Sequence, residues 1–98
     1  MSWPRIIERI ERGEIVQIRP SGGSMVPRIK SKQLVTLERV DTSKLALDDV
    51  VLAKVKGRYY LHLISAIDGD RIQISNNHGH VNGWTRRDKV FAIVTRVE

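Results

Sequence analysis

A chain of 98 residues holds one small domain, and its 41% apolar content is that of a globular protein rather than a disordered one. The absence of cysteine excludes a disulfide framework, a thiolate metal site and a cysteine nucleophile, and it fits a reducing, cytoplasmic setting. The net charge of +6 comes from 17 basic and 11 acidic residues scattered along the chain without a like-charged run, which favours a solvated surface over nucleic acid as the main ligand.

Residues 3–12, WPRIIERIER, read as an amphipathic helix, with Trp3, Ile6, Ile7 and Ile10 on one face. Ser2 is placed to cap it, Pro4 sits in the first turn where a missing N–H costs little, and Gly13 is the natural stop. Glu8 and Arg12 are spaced to pair along the helix. So short a helix is marginal alone, so its apolar face must be covered by the domain, a partner or a membrane surface. No apolar stretch approaches the ~18–20 residues that span a bilayer, and no signal-peptide pattern opens the chain.

From residue 14 the pattern turns to β. Strands are expected over 14–19, 34–40, 50–55, 59–67, 71–75 and 90–97. Lys56-Gly57-Arg58 and Asp68-Gly69-Asp70 supply the tight turns between the third, fourth and fifth of them. Residues 76–88, rich in Asn, Gly and His, read as a loop in which Trp84 plugs the edge of the core. The organisation expected is a short helical segment, 1–13, followed by a β domain, 14–98. The fold class is mainly β, a small twisted sheet or partly open barrel.

The chemistry concentrates in Ser21-Gly22-Gly23-Ser24-Met25-Val26-Pro27. Two glycines permit backbone angles closed to other residues, exposing Ser24 on a turn whose N–H groups can meet an anion. By itself Gly-Gly-Ser is also an ordinary loop, and a serine needs a base to become a nucleophile at neutral pH. His62, in Tyr60-Leu61-His62-Leu63-Ile64, offers one, since an imidazole titrates near neutrality. Strand parity places Tyr60, His62 and Ile64 on one face. His78 and His80 lie in the loop without a further metal ligand, so no metal site and no cofactor are expected.

The Ser-Gly-x-Ser-Met segment with Pro27, the Asp48-Asp49-Val50-Val51 box, the hairpin turned at Gly57, the strand bearing His62, Ser75-Asn76-Asn77 and the last strand occur in the order found in the signal peptidase I and LexA-like serine peptidases, which the chain resembles over residues 14–97. The resemblance implies a Ser24/His62 dyad of the histidine-base type. Ser21 and Gly23 would assist the oxyanion, Asn77 or Asp88 would orient the histidine, and Met25 and Pro27 would line the substrate cleft. It implies a serine endopeptidase with a protein or peptide substrate.

The chain departs from the family at three points. Lys32-Gln33 and Asp48-Asp49 stand where that family has Gly-Asp, and Ser75 stands where it has Asp. With no scissile pair upstream of Ser24, cleavage in trans is expected rather than self-cleavage. The departures leave open a silent peptidase-fold module for protein binding or homodimerisation, one linked to a DNA-associated or mobile-element regulator.

Overall fold

The computed structural model describes residues 2–98; Met1, with which the expected helical segment begins, lies outside them. Helix α1 spans Trp3–Glu11, with Pro4 in its first turn. The chain leaves it through Gly13, whose φ of +89° is open to glycine and strained for other residues. Two details differ from expectation. Ser2 stands at the N-cap in an extended conformation, but its side chain makes no capping bond. Arg12 pairs not with Glu8 but with Glu14, at 3.6 Å, and Arg9 joins the same carboxylate at 3.1 Å. The reversal at Gly13 causes this, because it carries the Glu14 N–H onto the Arg9 carbonyl and sets the side chain beneath the last helical turn.

Seven strands follow: β1 (Val16–Ile18), β2 (Val35–Arg39), β3 (Val50–Val55), β4 (Arg58–Asp68), β5 (Arg71–Ser75), β6 (Val81–Arg86) and β7 (Val90–Val97). They form one antiparallel sheet in the order β1-β2-β7-β3-β4-β5-β6. The mainly-β architecture with one short N-terminal helix is as expected. The sheet does not close into a barrel; it curls, so that Thr85 Oγ1 on β6 donates to the Lys54 carbonyl on β3 at 2.7 Å. The β3–β4 hairpin turns on Lys56 and Gly57 at φ +50° and +82°, the pair of left-handed residues that a two-residue turn of matching twist requires.

β6 corrects the sequence reading, which made 76–88 a loop. Asn82 and Gly83 are poor strand formers, and the strand is held instead by its pairing with β5. Trp84 joins neither core. It stands half-buried on β6 with the Arg71 guanidinium 5.1 Å from its ring.

Alternation along the strands builds a core on each face of the sheet. On one, α1 packs Ile6, Ile7 and Ile10 over Val16, Val35, Leu37, Leu52 and Ala92, joined by Leu61 and Leu63 of β4. On the other, Val51, Ala53 and Val55 of β3 meet Ile64, Ile72, Ile74 and Val90. α1 is therefore covered by its own domain. Among the described residues no helix is long and apolar enough to cross a membrane.

Candidate active site

The connection from β1 to β2 carries Ser24 out over the sheet. Its base is cinched by the Lys32 N–H on the Pro20 carbonyl at 2.7 Å and by Arg19 Nη1 on the Lys32 carbonyl at 3.0 Å. Met25 and Ile29, both buried, anchor it in the helix-side core, while Ser24 itself is exposed. This explains a polar, glycine-rich segment that nonetheless holds one shape: two apolar side chains fix it and the serine between solvent and core is left accessible. Lys32, at the end of the excursion, has φ +65°, and Asp48, entering β3, has φ +71°. The backbone is left-handed at both, a conformation that costs a residue with a Cβ about 1–2 kcal/mol.

His62 comes from the middle of β4 and is nearly buried. Its Nε2 lies 3.0 Å from Ser24 Oγ, and its Nδ1 lies 2.7 Å from Asn82 Oδ1. An amide oxygen only accepts, so Nδ1 carries the proton and Nε2 presents its lone pair to the Ser24 hydroxyl. Burial pushes the imidazole below the ordinary histidine value of 6.5; the Asn82 bond opposes this, and the neighbouring His80 adds to it. His62 is thus neutral at pH 7, and it loses its lone pair only as pH falls through a value under 6.5.

Asn82 is the residue the sequence reading missed. Register explains its position: Ile74 pairs with Gly83 and Ser75 with Val81, so Asn82 is the extra residue of a bulge. A bulge re-aims the side chain it carries, here across β5 to His62. Gly83 makes the bulge possible. Its φ is +141°, and a Cβ there would lie 3.2 Å from both Val55 Cγ1 and Lys56 Cε. The Asn-Gly pair was the available signal, but it speaks equally for any tight turn.

The other expected site residues fall in varied places. Asp88 lies exposed in the short helical turn Arg87–Lys89, with no hydrogen bond or ion pair from its side chain among the described residues, and does not orient His62. Asn77 does not reach His62 either; it grips the serine loop, its N–H donating to the Ser24 carbonyl at 2.9 Å and its Nδ2 to the Val26 carbonyl at 3.0 Å. His78 Nε2 adds a bond to the Gly23 carbonyl at 2.8 Å. With these carbonyls turned toward residues 77 and 78, no hydrogen bond among the described residues uses the N–H of Gly23, Ser24 or Met25. Those amides are open to an oxyanion.

Ser24 and His62 line a cleft of about 140 Å³. Ser21, Gly22, Met25 and Ile29 of the serine loop line it, with Tyr59, Tyr60 and Leu61 of β4 and Trp3 of α1. Met25 lines the cleft, whereas Pro27 is exposed and lies outside it.

No family model matches the chain, and no curated protein and no solved structure matches it either. The site rests on its own geometry.

Proposed function

We propose that the chain is a serine endopeptidase acting in trans on protein substrates, with Ser24 as nucleophile, His62 as general base and Asn82 as the group that holds the imidazole. The observation that carries this reading is the unbroken line from Ser24 Oγ to His62 Nε2 at 3.0 Å and from His62 Nδ1 to Asn82 Oδ1 at 2.7 Å. A nucleophile, a base in reach and a third group orienting the base is the arrangement nucleophilic acyl transfer needs.

Ser24 Oγ attacks the scissile carbonyl carbon while its proton passes to His62 Nε2. The carbonyl oxygen, now negative, is met by the N–H of Ser24, with Gly23 beside it. The imidazolium returns the proton to the departing amine nitrogen as the C–N bond breaks. Water then attacks the acyl-serine, giving a proton to His62, which returns it to Ser24 Oγ as the C–Oγ bond breaks and the carboxylic acid leaves.

The resemblance to the signal peptidase and LexA-like peptidases gains support from the backbone. Lys32 and Asp48, which stand at the family's glycine positions, are both left-handed, the conformation that glycine adopts without strain.

The test is covalent. A fluorophosphonate probe is expected to label the wild-type protein at Ser24, Ser24→Ala to abolish labelling, and His62→Ala to slow it by roughly 10²–10⁴-fold, the range general-base catalysis supplies. Absence of labelling in the folded wild type would sink the enzyme reading.

A further inference from the structure

We infer that Trp3, on the N-terminal helix, is a specificity-determining residue: it walls the cleft beside Ser24 and limits it to an uncharged, apolar substrate side chain no larger than about one phenyl ring. The inference rests on the proposed peptidase reading and names the substrate class of that site.

Three observations converge on it. The first is the uneven burial of the apolar face of α1. Ile6, Ile7 and Ile10 are 7%, 8% and 0% exposed, whereas Trp3, on the same face, is only half-buried. The isoleucines lock the helix on the sheet, and the indole overhangs a space the protein does not fill. The second is the lining. The cleft is lined by Trp3, Met25, Ile29, Leu61 and the Tyr59 and Tyr60 rings, with Pro20 and Gly22, and by the polar Ser21, Ser24 and His62. No lining residue carries a charge at neutral pH, and a charged group moved from water into such a site keeps an uncompensated desolvation cost. The third is size. The cleft measures about 140 Å³, close to the roughly 150 Å³ of an apolar cavity that holds benzene. A leucine or phenylalanine side chain fits this space.

Position ties the cleft to the chemistry. Met25, the residue after the nucleophile, is part of its wall, as are Ser24 and His62. The side chain adjoining a carbonyl seated on Ser24 Oγ is the one placed to enter.

The experiment uses the full chain and p-nitrophenyl esters of N-acetyl alanine, leucine, phenylalanine, tryptophan, lysine and glutamate, reading relative kcat/KM. The leucine and phenylalanine esters are expected to react fastest and the lysine and glutamate esters slowest. Trp3→Ala is expected to raise the tryptophan ester against the leucine ester by at least about tenfold, the lower end of what one methylene is worth in an apolar pocket. Trp3→Phe, which keeps an aromatic packing on the core, is expected to fall between the two and guards against loss of folding, checked by circular dichroism. An unchanged tryptophan-to-leucine ratio in a folded Trp3→Ala overturns the inference while leaving the peptidase reading intact.

A second readout does not depend on turnover. In Ser24→Ala, N-acetyl-leucinamide is expected to shift the Trp3 indole and Met25 methyl NMR signals, and N-acetyl-lysinamide to leave them in place. Shifts with the first alone support the cleft assignment even if every ester proves inert, which would sink only the peptidase reading. No shift with leucinamide, or equal shifts with both, overturns it.

Discussion

Replacing Asn82 by aspartate exchanges a neutral acceptor for a carboxylate without changing shape, and it tests the core of the proposed site. The acceptor oxygen, Oδ1, which both side chains share, lies 2.7 Å from His62 Nδ1. Charge centres about 4 Å apart attract by about 4 kcal/mol at an effective dielectric of about 20, equivalent to about 3 pK units. Asn82 is half-buried, so water weakens this, and an upward shift of about 1–3 units is expected for a carboxylate in contact.

The sign follows directly. In the wild type, burial holds His62 below 6.5, so the base is free at pH 7. In Asn82→Asp the imidazolium persists through neutrality. Phosphonylation by a fluorophosphonate should therefore be slower than wild type near pH 6–7 and regain or exceed it in alkali, where the carboxylate stabilises the imidazolium formed during attack. Because the folded-state pKa is raised, the stabilisation contributed by the pair is fully present below the unfolded histidine value of about 6.5 and is lost as pH rises through the folded value. The thermal midpoint of the variant should exceed that of the wild type most at pH 5–6 and converge with it in alkali. Ring ¹⁵N NMR of His62 reads both the tautomer and the titration directly, whether or not the protein cuts anything. A titration midpoint that moves by less than about half a unit, against the 1–3 expected of a contacting carboxylate, would refute the assignment of Asn82 as the partner of His62.

Gly83→Ala is expected to destabilise the fold by about 1–3 kcal/mol, because the new Cβ adopts a strained φ and presses on Val55 and Lys56; urea unfolding measures this, and the His62 ring should lose its Nδ1–H tautomer preference as the bulge shifts. Lys32→Gly and Asp48→Gly should each stabilise by up to about 1 kcal/mol, the relief of a left-handed side chain offset by the greater unfolded-state entropy of glycine. A loss of stability in Asp48→Gly would mean that the Asp48 pairing with Arg28 outweighs backbone strain, and a loss in Lys32→Gly that the unfolded-state entropy of glycine does.

Local pattern alone made several elements legible. The spacing of Trp3, Ile6, Ile7 and Ile10 specifies the helix, and alternation specifies β2–β5 and β7, because apolar periodicity reports directly which side of an element meets the core. The segment around Ser24 was equally readable, since glycines and a proline in a turn declare their backbone needs without help from the rest of the chain. The pairing of Ser24 with His62 depended on the order of motifs rather than on their spacing. They lie 38 residues apart, and no rule of local chemistry joins them.

What tertiary structure alone decided is the company these residues keep. β6 is a strand because β5 offers it a ladder of hydrogen bonds, against the preference of its own Asn-Gly. Asn82, one of several asparagines, reaches His62 only because an extra residue in that ladder turns it, a matter of register between strands that composition does not encode. Asn77, placed by sequence beside the histidine, holds the serine loop instead, and Asp88 stands apart. The same holds for Trp3. Its periodicity announces a core-facing side chain, yet where the helix ends relative to the serine loop is set by how three isoleucines seat it on the sheet, and that docking turns a core tryptophan into the wall of a cleft.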